Sequence, residues 1–321
     1  MMSSLPGQVE FHEEGPREGF QSENKRYSLA DRAALVDALS VTGLVQIQVA
    51  SFVNPKAVPA MADAGQLYAV IRRQPGVRYT ALWLNEQGFR RATETPGVDL
   101  DGKLMLYTTD AFCRKNNNCS VAEQRERQQQ WMNAYTACQV PLELAYIMTS
   151  FGCLYQGEVP LESLLENVAF IQELCQRCGK ALPKIYLADT VGWANPEEVK
   201  RRVGAVREMV PEARVGLHLH DTRGLGAANF YAALQMGVDL FDSSVAGLGG
   251  CPFSSHADMT AAGNICTEDM VFLCHELGIE TGIDLEALID AARLAERIIG
   301  RPLSGKCMHS GSLAGARADA T

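Results

Sequence analysis

The chain has 321 residues, 47% apolar and 21% charged, a globular composition with enough apolar mass for a large core. Its net charge is −9 and no basic block is longer than Lys25-Arg26 or Lys200-Arg201-Arg202, which argues against nucleic-acid binding but leaves room for a locally held anion. No run of 18 apolar residues occurs and residues 1–7 are too short for a signal peptide, so a cytoplasmic protein with no membrane partner is expected.

In chain order, strand-like runs fall at residues 8–14, 44–49, 77–82, 103–107, 143–148, 184–189, 214–219 and 239–243. Each leads into a helical pattern; apolar residues recur at three and four along 28–42, 121–137, 161–178, 196–209, 225–236 and 268–277. Ser28, Ser120 and Asn195-Pro196 are N-terminal cap signals, and Gly43, Gly179 and Gly237 fall where helices end. Eight β-then-α units predict an α/β chain folded as a (β/α)₈ TIM barrel rather than a doubly wound sheet. The barrel domain is expected over residues 1–300, with the small, polar segment 301–321 a mobile C-terminal tail.

Ten cysteines are scattered through these elements with no secretory segment before them, so a disulfide framework is not expected. Cys175 and Cys178 form a CxxC on one helix without a second pair at zinc-site spacing, and read as buried or half-buried thiols.

The sharpest chemical signal is Leu217-His218-Leu219-His220-Asp221. Residues two apart on a strand share a face, so both imidazoles project together at the C-terminal end of the seventh strand, where barrel enzymes keep their active sites. The pair reads either as half of a metal site or as two hydrogen-bonded core histidines. Other strand ends carry polar residues at the same rim: Gly15-Pro16-Arg17-Glu18-Gly19, Asp189-Thr190-Val191-Gly192 and the stretch 243–252, while the strand interiors read as apolar. Cys251, in a glycine-rich loop, is either a mobile acid or nucleophile or an inert loop thiol. Asn264 is either a neutral oxygen ligand or a turn residue.

These segments, together with Ser51-Phe52-Val53-Asn54-Pro55-Lys56, Val58-Pro59-Ala60-Met61, Lys115-Asn116-Asn117-Asn118-Cys119-Ser120 and residues 242–252, resemble the hydroxymethylglutaryl-CoA lyase family over most of the chain. The wider group includes isopropylmalate synthase-like and carboxyltransferase barrels. The resemblance implies a metal-dependent retro-Claisen lyase that cleaves an acyl-CoA substrate to acetyl-CoA and a keto acid, and a homodimer. It implies that Glu18, His218, His220 and Asn264 ligate a divalent cation, Mg²⁺ or Mn²⁺ first, with two imidazoles also admitting Zn²⁺, Fe²⁺ or Co²⁺. Arg17 would face the thioester oxygen, Asp189 would act as base or relay, and Cys251 would protonate the departing enolate. Gln21, Gln48, Ser51 and Tyr146 would touch substrate.

The sequence also departs from the family. Glu18 stands where Asp is usual, Gln48 where Glu is usual, Leu144 where Arg is usual, and Asn24 where a basic residue is expected; the loop between Cys251 and Asn264 is lengthened by Ser254-Ser255-His256-Ala257-Asp258. One negative charge is therefore expected to be missing from the cavity at Gln48. A condensing, synthase-type acyltransferase and a catalytically altered metal-binding paralogue are the competing readings.

Overall fold

A computed structural model of the chain describes residues 5–23, 25–250, 263–313 and 317. Among the described residues eight parallel strands alternate with helices, and a short antiparallel pair, Gly152–Cys153 with Gly157–Glu158, stands apart from them. β1 (Glu10–Glu13) leads into α1 (Gly15–Ser22) and α2 (Leu29–Ser40), β2 (Gln46–Ser51) into α3 (Ala64–Val70), and β3 (Arg78–Leu82) into α4 (Glu86–Thr93). β4 (Gly102–Tyr107) is followed by α5 (Asp110–Asn117) and α6 (Val121–Ala137), β5 (Leu142–Met148) by α7 (Leu161–Arg177), and β6 (Lys184–Ala188) by α8 (Pro196–Met209). β7 (Val215–His218) precedes α9 (Gly226–Gln235), and β8 (Leu240–Ser243) precedes α10 (Thr267–Glu276), α11 (Leu285–Ile299) and α12 (Cys307–Ser310).

The helix starts follow their caps. Ser28 accepts from Asp31 N at 3.0 Å, Ser120 and Glu123 form a capping box, and Asn195 accepts from Glu197 N and Glu198 N ahead of Pro196.

The chain divides into two compact units. In the unit of residues 7–99, 242–250 and 263 onward, β1, β2 and β3 pair in parallel in the order β3-β2-β1, His12 opposite Gln46 and Gln46 opposite Arg78. A register shift between Gln48 and Ala50 bulges β2 just where Gln48 projects, and a bulge of this kind re-aims side chains. Leu35, Val36 and Leu39 of α2 and Leu288 and Ile289 of α11 are fully buried, and the two helices pack together. Each such side chain stabilises the fold by roughly 1.5–3 kcal/mol of apolar burial.

In the unit of residues 100–241, β4 to β7 pair in parallel in the order β7-β6-β5-β4, with Tyr146 opposite Tyr186 and Ala188 opposite His218. One core cluster joins Tyr107, Phe112, Cys113, Cys119, Cys153, Val159 and Val191. A second joins Leu144, Tyr146, Tyr186 and Leu240, with Met105 and Met148 packed against it.

Residues 15–22 form a helix, because Pro16 suits a first-turn position and Gly15, Pro16, Gly19 and Phe20 supply a buried face. The expected apolar strand interiors are corrected: the strands also bury polar groups, with His12 paired to Glu10 at 2.8 Å and Lys103 paired to Asp101. Beyond residue 300, Leu303, Cys307 and Met308 are buried, and Asp269 accepts from Lys306 N and Cys307 N.

Candidate active site

In the β1–β3 unit, Glu14 ends β1 by turning to αR backbone geometry (φ −101°, ψ −10°), and α1 starts at once, lifting Arg17 and Glu18 from its first turn. Arg17 is held on three sides. Its Nη2 donates to Glu14 Oε2 at 2.5 Å, its Nη1 lies 2.9 Å from Glu18 Oε1, and its Nε donates to Gln48 Oε1. Gln48 Nε2 donates in turn to Glu14 Oε1 at 3.1 Å. Glu14 and Gln48 are buried. Glu14 therefore sets a carboxyl directly against the Gln48 amide.

Asn264 shares its Nδ2 hydrogens among Ser244 Oγ (2.8 Å), the Leu248 carbonyl (3.3 Å) and Glu18 Oε2. Its Oδ1 is buried with no hydrogen-bond partner. Gly249, at φ +93°, lets the chain pass close by: a Cβ there would stand 2.7 Å from Glu18 Cβ and 3.0 Å from Asn264 Nδ2. Ser51 Oγ donates to Gln21 Oε1 at 2.9 Å.

Two buried carboxyls support this rim. Glu13 accepts from Gly15 N (2.8 Å), Val245 N (2.9 Å) and Thr267 Oγ1 (2.6 Å); burial pushes its pKa up to about 7 against the pull of those bonds. Glu268 accepts from Ala246 N at 3.0 Å, and burial pushes it up to about 8. Ala246 itself sits at φ +57°, so these bonds brace a left-handed residue.

In the β4–β7 unit, His218 is the last residue of β7 and His220 lies just beyond it. Their Nε2 atoms are 3.3 Å apart, with the rings edge to face. His220 Nδ1 donates to the Thr190 carbonyl at 2.9 Å, which leaves its Nε2 lone pair turned toward His218. Asp189, at the end of β6, accepts from Trp193 N (2.7 Å) and Ala194 N (3.1 Å) through Oδ1, while its buried Oδ2 has no hydrogen-bond partner. Burial lifts this carboxyl to about 6, with the two backbone bonds, then His218 and Arg223, drawing it back. Tyr146 stacks on Tyr186 at 4.7 Å between ring centroids, beside Leu144.

The donor chemistry fits a divalent cation. The β4–β7 unit offers two facing imidazole nitrogens, and the β1–β3 unit offers an acidic side chain on α1 and a buried amide oxygen that accepts no hydrogen bond; each is a donor type that divalent cations take.

Of the residues singled out in the sequence, Arg17, Glu18, Gln48 and Asn264 fall into one hydrogen-bonded network, Gln21 pairs with Ser51, and His218 pairs with His220. Cys251 and Asn24 lie outside the described residues. Glu14, Thr190 and Ser244 were given no role; the doubled acid Glu13-Glu14 before Gly15 was the available signal for the first.

An Arg–acid pair, a two-histidine half-site and a buried acid, all at the C-terminal ends of parallel strands, define a (β/α)₈ enzyme of the metal-dependent lyase class. The family model HMGL-like matches residues 8–295. A curated relative from Pseudomonas aeruginosa, a 3-hydroxy-3-isohexenylglutaryl-CoA/hydroxy-methylglutaryl-CoA lyase, is 39% identical over 298 residues, covering 93% of this chain and 95% of the relative. The crystal structure of hydroxymethylglutaryl-CoA lyase from Pseudomonas aeruginosa superposes with a TM-score of 0.85 at 37% identity, covering 99% of this chain and 100% of that one. An HMG-CoA lyase from Acinetobacter baumannii, solved with coenzyme A and 3-methylmalate, gives a TM-score of 0.85 at 32% identity over 98% and 97% of the two chains. The chain belongs to the HMGL-like family and is a TIM-barrel carbon–carbon lyase. No helix among the described residues is long and apolar enough to cross a membrane.

Proposed function

We propose that this chain cleaves 3-hydroxy-3-methylglutaryl-CoA, or a close 3-hydroxyacyl-CoA, to acetyl-CoA and a keto acid by a retro-Claisen reaction in the cytoplasm, working as a homodimer. The observation that carries the reading is the His218–His220 pair, its Nε2 atoms 3.3 Å apart and one ring fixed by Thr190. Membership of the family supports the choice of reaction.

Glu18, His218, His220 and Asn264 would hold a divalent cation, Mg²⁺ or Mn²⁺ before Zn²⁺, Fe²⁺ or Co²⁺. When bound, the ion supplies Lewis acidity to the substrate's tertiary hydroxyl and a neighbouring oxygen. Asp189, whose Oδ2 carries no hydrogen bond in the structure, takes the proton of that hydroxyl. Its pKa of about 6 suits a base that must accept and return a proton near neutrality. The oxygen's electron pair closes to a ketone, the C2–C3 bond breaks, and its electrons pass into the thioester enolate. Arg17 presents its guanidinium to the enolate oxygen as charge gathers there. Cys251 delivers a proton to C2, completing acetyl-CoA. Gln21, Gln48, Ser51 and Tyr146 line the acyl group's surroundings. Residues 1–300 would form the barrel domain, with the last residues a tail.

The test is turnover of purified protein, loaded with Mg²⁺ or Mn²⁺, against a panel of 3-hydroxyacyl-CoAs, with acetyl-CoA release as the readout. Metal bound with no turnover on any member overturns the reading.

A further inference from the structure

We infer that Glu14 is the positioning carboxylate of Arg17, acting through a closed ring of hydrogen bonds with Gln48. The inference deepens the proposed function by naming what sets the orientation of its oxyanion donor.

The ring has three members and three bonds. Arg17 Nη2 donates to Glu14 Oε2 at 2.5 Å, Arg17 Nε donates to Gln48 Oε1, and Gln48 Nε2 donates to Glu14 Oε1 at 3.1 Å. Arg17 donates twice, the amide accepts once and donates once, and the carboxylate accepts twice. The donor inventory leaves no other assignment: guanidinium only donates, an ionised carboxylate only accepts, and an amide does each from one atom. Glu14 and Gln48 are 1% and 2% exposed, so water does not freely replace a bond lost between them. Arg17 keeps 12% of its side chain exposed. The bulge in β2 immediately after Gln48 sets the amide where it reaches both partners.

This arithmetic decides how substitutions behave. Glu14→Gln puts two amides in the ring, and in every orientation one edge meets donor to donor. Gln48→Glu puts two carboxylates in it, and their shared edge meets acceptor to acceptor with one charge too many. The double variant Glu14→Gln/Gln48→Glu closes the ring again: the carboxylate introduced on β2 would accept from Arg17 Nε and from the amide introduced at the end of β1, and that amide's oxygen would accept from Arg17 Nη2. The single negative charge moves from the end of β1 to β2, and Arg17 stays in place.

The experiment is a double-mutant cycle on the metal-loaded enzyme, with kcat and KM measured for all four forms. Each single variant should lose about tenfold or more in kcat with KM changed by no more than about threefold, because orientation of an oxyanion donor acts on the transition state. The double variant should recover to within about threefold of the parent. Arg17 Nε–Hε is followed in parallel by ¹⁵N NMR without substrate: a slow-exchanging, shifted signal in the parent and double variant, lost in both single variants. Single variants that keep full kcat, or a double variant no better than the worse single, overturn the inference. If the parent turns over no thioester, the proposed reaction fails, yet the NMR arm still decides: an Arg17 signal indifferent to Glu14→Gln refutes the ring.

Discussion

Asn264 donates Nδ2 to the Ser244 hydroxyl at 2.8 Å, and this bond fixes which end of the amide faces Glu18 and which end is left with an unused oxygen. Ser244 is fully buried, so the bond is not open to exchange with water. Ser244→Ala frees the amide to rotate. Its expected effect is a roughly tenfold loss of Mn²⁺ affinity with the fold intact, as for other residues that orient a ligand. Titration calorimetry or Mn²⁺ EPR measures it; unchanged affinity removes Asn264 from the ligand set.

His218→Ala and His220→Ala should each abolish metal loading at micromolar ion, a loss of about a hundredfold or more. His220 carries the additional bond to Thr190 O, so its removal should also lower thermal stability by about 1 kcal/mol, whereas His218→Ala should not through this route. Metal analysis after gel filtration, with a thermal melt of each variant, separates the two effects.

Arg17→Lys keeps the charge and loses the fork. Lysine cannot serve Glu14 and Gln48 together in the geometry that the guanidinium uses. The expected result is a kcat lower by about a hundredfold to a thousandfold with a modest change in KM. Steady-state kinetics test it, and a KM effect alone would assign Arg17 to ground-state binding.

The buried carboxyls give stability a pH dependence of definite sign. Glu13 and Glu268 are raised from 4.5 to about 7 and about 8, in both cases chiefly by burial. A folded carboxyl with a raised pKa holds its proton more tightly than the unfolded chain does, so its stabilisation is full below about pH 4.5 and fades as pH rises through 7 and 8. Melting temperature should fall between about pH 4.5 and about pH 8, and Glu268→Gln should flatten the slope. Scanning calorimetry across that range checks both; a melting point that rises with pH contradicts the protonated state of these groups.

Cys251→Ala should depress turnover by about tenfold or more while Mn²⁺ stays bound, because it removes a proton donor and no ligand. Stopped-assay kinetics with metal analysis on the same sample decide the matter.

Much of this was legible in the residues. The period-two runs located all eight strands, and the helices with strong caps, such as Val121–Ala137 and Pro196–Met209, matched their predicted limits. α1, α3, α4, α5, α11 and α12 were given no limits. α1 is rich in glycine and charge, and its burial depends on Gly19 lying against Leu248, a contact from far along the chain. Arg17 and His218 stood out in the sequence because each lies in a short motif that repeats a known chemistry. Glu14 did not, because its role appears only when the strand turns to αR at that residue and brings its carboxylate to the amide of Gln48. Gln48 alone looks like a lost charge; the structure sets the Glu14 carboxyl beside it.

The three bonds at Glu13 also bear on how the molecule is made. One carboxyl near the N-terminus closes onto the backbone of Val245 and the hydroxyl of Thr267, 232 and 254 residues downstream. A ribosome has delivered most of the polypeptide before either partner exists, and contacts of such long range form slowly. The first ribbon of the enzyme therefore waits for its last third. A nascent chain halted short of residue 267 has Glu13 without its Thr267 partner, so the rim bearing Arg17 is among the final parts of the protein to set.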